Sequence, residues 1–295
     1  MIRKQIHGDD LLYRFFNHVL PSDPELFERI PRLLIISMSV WFPKSVYQEM
    51  PILLPWVVRD PTCRGKRSRG RVVETDQWGA PNSDGLLRDD NSLVKGIPRS
   101  LLISSNAYSF VNGKNLGNEF VASHIWRKNQ SGVLASRLPE LNTFVPNLVW
   151  LPSQVAKLSD REDSVFQRAL KEVSWGIYRE IPLSPRTRLI AEKSWGLLPP
   201  PDTVRAVIDS EINWFVSTPR FMKTRKSKLS SVIAALDRIS DDLSAPLSLQ
   251  PSRYRAGLPQ VDTAKRMKLR ADLSLHDQGL TIEVDRNNGL PTARD

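Results

Sequence analysis

Two short apolar runs followed at once by a long amphipathic stretch constrain this chain most. Phe120 to Trp126 comes after the turn-forming pair Gly117-Asn118, and Asn147 to Leu151 follows a loop bounded by Pro139 and Pro146. From Ser153, a residue suited to a helix N-cap, Val155, Leu158, Val165, Phe166, Ala169, Leu170 and Val173 recur at helical spacing. They predict one helix running to about Tyr178. The order strand, strand, helix predicts an α+β core.

The flanking segments read as mainly helical. Leu11, Leu12, Phe15, Phe16, Val19 and Leu20 fit an amphipathic helix that Pro21 stops. Residues 25–50 read as a helical or mixed core segment interrupted at Pro31 and Pro43. Residues 59–87 turn to Arg, Gly, Ser, Pro and Asp, the composition of a long exposed arm. Short β-compatible runs at Ser100 to Ile103 and Tyr108 to Val111, with Asn112-Gly113 as a turn signal, predict hairpin-like strands. Prolines recur beyond Ile181, with helical patterns near 202–216 and 229–243 and loose order after Ala245. Three regions result: a helical segment with a basic arm over 1–75, an α+β core over 76–180, and a helical, basic, partly irregular region over 181–295.

Composition narrows the partners. With 295 residues the chain buries a substantial core without covalent staples. No apolar run approaches the ~20 residues of a bilayer span, so no membrane is expected. Acidic and polar residues follow Arg3 and Lys4 where a signal peptide would be apolar. The single cysteine, Cys63, forms no internal disulfide, which fits a reducing cytoplasm. The four histidines show no HExxH pairing, which removes the zinc-hydrolase helix.

Forty-two basic against 32 acidic residues give a formal charge of +10, favouring a polyanion through counterion release. The excess is clustered at 64–71, including Arg64, Lys66, Arg67 and Arg69, at 220–228, including Lys223, Arg225 and Lys226, and at 265–270. A single such run is commonly a solvated face; three favour nucleic acid.

The stretch Glu119-Phe120-Val121-Ala122-Ser123-His124-Ile125-Trp126, then Pro146-Asn147-Leu148-Val149-Trp150-Leu151-Pro152 and the helix from Ser153, resembles the HNH, or ββα-metal, nuclease family over residues 107–175. The resemblance implies an HNH-like core in a mainly helical scaffold. It implies a metal-dependent DNA endonuclease of the type II restriction or defence kind, using Mg²⁺ or a similar divalent ion. His124 would be the general base and Asn147 would fix the tautomer and orientation of its imidazole, the two side chains meeting across the strand pair. A neutral imidazole suits the base role once another group sets its tautomer.

The family's ligand position before the base is Ser123 here, and its third signature position falls near Ala156. The oxygens at hand for a metal are Ser123, Gln154 and Asp160, with Glu119 or Asp89 in support. Arg127, Lys128 and Lys157 are placed for phosphate contact. Trp126, Trp150 and Trp175 flank the site and suit either base stacking or, more commonly, core packing.

Other nuclease signatures are not matched. Arg88 to Lys95 holds two aspartates and an asparagine, the usual composition of a helix cap. No Asp-x-Lys or Glu-x-Lys is present, and Gly176-Ile177-Tyr178 has no Tyr-Ile-Gly after it. Two further readings stand beside the nuclease: a non-catalytic DNA-binding protein with a degenerate HNH-like fold, favoured by Ser123 and Ala156, and an RNA-binding protein. Two-fold symmetric cutting of double-stranded DNA would imply a homodimer.

Overall fold

The computed structural model describes residues 24–56, 67–68, 71–72, 94–241 and 263–287. The predictions for residues 9–20, for most of the basic arm and for Asp89 lie outside them. Among the described residues are eight α-helices and a five-stranded mixed sheet, an α+β fold. No described helix is long and apolar enough to cross a membrane.

The chain runs through α1 (Pro24–Met38), β1 (Val40–Trp41) and α2 (Lys44–Glu49). A small antiparallel pair follows, β2 (Arg67–Ser68) and β3 (Arg71–Val72), and then β4 (Leu102–Ser104) and β5 (Phe120–His124). The short α3 (Pro139–Asn142) leads to β6 (Leu148–Pro152), α4 (Ser153–Ser159), α5 (Val165–Tyr178) and α6 (Pro185–Trp195). Last come β7 (Asn213–Val216), α7 (Pro219–Asp241) and α8 (Thr263–Asn287).

Strands stand in the order β4-β7-β1-β6-β5, and the β7–β1 pair is parallel while the others are antiparallel. The sheet thus draws on all three regions expected from the sequence. At its edge β5 and β6 pair in register from Phe120 opposite Pro152 to His124 opposite Leu148.

The core lies around the sheet's centre. Phe42 packs on Trp150 and Phe215, each at 5.2 Å between ring centres, and on Phe221 at 5.8 Å. Burying a side chain of Phe size contributes about 1.5–3 kcal/mol, so this cluster is a main source of cohesion. On its other side the Tyr178 hydroxyl donates to the Phe42 carbonyl at 2.5 Å. A second aromatic group joins Trp126, Trp195 and Trp175, with ring centres 5.8 and 5.0 Å apart.

Several local expectations change. The helix expected from Ser153 to Tyr178 is two helices. Asp163 turns the chain at φ 59°, and Ser164 caps α5 by accepting the Gln167 amide at 3.2 Å. Gln167 reaches back to the Asp163 amide at 2.7 Å, so the break is fully hydrogen-bonded. Pro152, not Ser153, occupies the N-cap of α4.

The pattern near 202–216 forms β7, because Asn213 to Val216 fills the gap between β1 and β4. The run 108–111 is a 3-10 turn, not a strand; the chain folds back only after Gly113 (φ 72°), whose amide donates to Ile103. Pro31 lies inside α1 without ending it. Beyond Ala245, residues 263–287 are helical and pack on α7.

Candidate functional site around His124

The β5–β6 hairpin and α4 place His124 at one end of a strand pair covered by a helix. His124 is partly buried, and its Nε2 stands 2.8 Å from the carbonyl oxygen of Asn142. A carbonyl only accepts, so Nε2 carries the proton and Nδ1 keeps the lone pair. Burial pulls the imidazole pKa below its ordinary value, outweighing the pull upward from Asn142, and nearby Arg127 lowers it further. The ring is therefore neutral at pH 7, in the tautomer a base at Nδ1 requires.

Asn147 is fully buried and acts on the backbone. Its Oδ1 accepts the Trp126 amide at 2.7 Å and its Nδ2 donates to the Leu141 carbonyl at 3.1 Å. The Asn147 carbonyl in turn accepts the Ile125 amide at 3.0 Å. One residue thereby ties the end of β5 to the end of α3, which presents the Asn142 carbonyl. Asn147 and His124 are joined through this clamp and not side chain to side chain, a correction to the expectation that the carboxamide meets the imidazole and sets its tautomer.

The proposed ligands separate. Successive strand residues face opposite sides, so Ser123, which is buried, points away from the face of His124. Ser123 is therefore not beside the imidazole, a correction to the ligand set. Gln154 is a second correction. From Leu148, opposite His124, β6 travels four residues to Pro152, about 13 Å at strand rise. Gln154 sits at that far end, where the Ser153 hydroxyl lies 3.2 Å from its amide oxygen and 3.1 Å from Glu119.

The helix α4 then returns about 10 Å over seven residues, bringing Asp160 back to the His124 end. The return is visible in the ion pair Lys128–Glu162 at 2.5 Å. It is also visible in the charge of Arg127, which acts on both His124 and Asp160. Desolvation raises the Asp160 pKa, and Arg127 works against it. Ala156, at the family's third signature position, is buried and apolar.

No protein-family model, no curated protein and no solved structure matches this chain. The local geometry therefore carries the functional argument.

Of the residues expected to meet phosphate, Arg127 and Lys157 are exposed near His124 and on α4, and Lys128 is exposed but paired with Glu162. Arg67 falls in β2, while Arg64, Lys66 and Arg69 lie outside the described residues. Lys223 is exposed on α7. Arg225 is a correction: it is buried, with its guanidinium 5.5 Å over the Phe221 ring, and so faces core instead of solvent. Lys226 pairs with Glu49 at 2.6 Å. Trp126 and Trp150 are fully buried, which leaves them no face for a base.

The Asn142 carbonyl was not foreseen. It contributes through its backbone, and no residue type marks such a role. The Asn142 side chain is itself buried, and it acts with the backbone carbonyl in pulling the His124 pKa upward.

Proposed function

We propose that the β5–β6–α4 unit is an HNH-like hydrolytic centre acting on phosphodiester bonds of DNA, with His124 as general base. The observation that carries this reading is the donation from Nε2 to the Asn142 carbonyl, at the end of α3 and held by buried Asn147. It leaves Nδ1 unprotonated and ready to take a proton from water attacking phosphorus. Arg127, exposed three residues further on, supplies positive charge beside that base.

The residues at the family's ligand positions do not fit a divalent metal, since Ser123 is buried on the other face and Ala156 offers no donor atom. Asp160 is the carboxylate that returns to this end, and among the described residues no three His, Cys, Asp or Glu side chains gather as a metal site.

Those same two residues favour a second reading, a DNA-binding unit of HNH-like shape that does not cleave. Incubation of the full chain with supercoiled plasmid in Mg²⁺, in Mn²⁺ and in EDTA separates the two. Strand breaks that vanish in His124→Ala with the fold retained support hydrolysis. Salt-sensitive binding without breaks in any condition supports the second reading and refutes the first.

A further inference from the structure

The helix α8 packs one side on α7 and leaves the opposite side open. Its packed side carries Arg266, Leu269 and Leu273, all buried. On the open side Met267, Ala271 and Leu275 follow one another at one-turn spacing and form an exposed apolar stripe. Met267 is 64 % exposed and Leu275 57 %. Beside α8, Leu189 of α6 is 68 % exposed and shares with Leu275 a cleft of about 460 Å³. The open side of a solvated helix ordinarily carries polar groups, so a stripe that continues onto a second helix marks a surface that another molecule covers.

The charges beside the stripe identify the occupant. Arg270 and Asp272 lie at equal intervals before and after Ala271, and so do Lys265 and Asp277. Lys268 has neutral Ser274 at the matching interval, and Met267 has Leu275. A two-fold axis through Ala271, perpendicular to the helix, sets each residue before Ala271 against its counterpart after it in the partner. Acid then meets base, apolar meets apolar, and no like charges on the open side or its flanks are opposed. A parallel pair would instead set every charge against its own copy.

We propose that α8 joins two copies of this chain as an antiparallel, two-fold symmetric dimer with Ala271 on the axis. Met267 of each copy packs on the partner's Leu275, and the single methyl of Ala271 lets the two helices approach to about 8–10 Å. Arg270 also holds Asp237 of its own chain at 2.6 Å, so the ionic pairs across the axis fix register more than they add affinity. A face made of one helix and Leu189 is small, which sets the dissociation constant on the order of 10 µM. The proposal does not depend on the chemistry at His124.

Sedimentation velocity of the full chain from about 1 to about 200 µM tests it, with the monomer mass giving way to twice that mass as concentration rises. Ala271→Glu puts two like charges on the axis and weakens the dimer about tenfold or more. Met267→Lys and Leu275→Glu each weaken it similarly by removing an apolar contact. Combined in one chain, these two substitutions oppose unlike charges only in the antiparallel register, and affinity recovers to within about tenfold of the unaltered chain. All three positions are exposed, and melting curves confirm that each variant folds. A monomer at every concentration overturns the proposal and leaves the stripe to a different partner. A dimer indifferent to Ala271→Glu, or a double variant no tighter than the single ones, overturns it as well.

Discussion

Replacing Asn147 by alanine removes both side-chain hydrogen bonds of the clamp while leaving its backbone bonds in place. The Trp126 amide, in fully buried surroundings, loses its partner, while the Leu141 carbonyl keeps the Phe144 amide at 3.4 Å. An abandoned buried donor costs about 1–3 kcal/mol, so the variant is destabilised by about 1–3 kcal/mol. With a urea slope near ~3 kcal/mol/M, the midpoint falls by about 0.3–1 M.

Asn147→Asp gives an independent signature. Its oxygen still accepts the Trp126 amide, but a second oxygen now faces the Leu141 carbonyl and a charge is buried. Acidification restores a donor, so this variant regains stability as pH falls while Asn147→Ala does not. Urea titrations at pH 5 and pH 8 with tryptophan fluorescence measure both. A midpoint for Asn147→Ala within about 0.2 M of the parent chain refutes the clamp.

Three further outcomes are expected. The His124 pKa lies below its usual 6.5, so its contribution to stability is complete above that pH and is lost as pH falls through the lowered pKa; His124→Gln flattens the fall in melting temperature between pH 7 and pH 5. Ser164→Ala removes the cap on the Gln167 amide and a donor to the Leu158 carbonyl at 3.0 Å, and costs about 1–2 kcal/mol in denaturant titration. Gly176→Ala, which helix propensity alone makes favourable by about 1 kcal/mol, is instead destabilising, because its methyl would lie 2.9 Å from Val207 Cγ2 and 3.0 Å from the Arg205 carbonyl; thermal melts decide the sign.

The hairpin and its covering helix were legible because their apolar runs are bounded by turn residues and long enough to show a period. β1, two residues long, has no period to read. β7 was missed because the apolar residues before it recur at a helical interval, while the slot between β1 and β4 decides its conformation. The break between α4 and α5 hid beneath continuous helical spacing, although Ser164 and Gln167 three apart are a capping pair.

At the site, the order of His124 and Asn147 along the chain indicated their neighbourhood. The partner of His124 is a main-chain oxygen, which leaves no trace in residue type. Choosing Asp160 over Gln154 required the lengths of β6 and α4, since the strand carries the chain away and only the end of the helix brings it back.

The parallel pairing of β1 with β7 has a bearing on biosynthesis. The sheet's central strand emerges from the ribosome some 170 residues before its neighbour. Until residues 213–216 arrive, one side of Val40–Trp41 has no ladder, and β4 has nothing to join it to the rest. A nascent chain holding a finished β5–β6 hairpin is therefore still an open half-sheet, vulnerable to association with its own kind. Release of the β7 segment is the event that closes it.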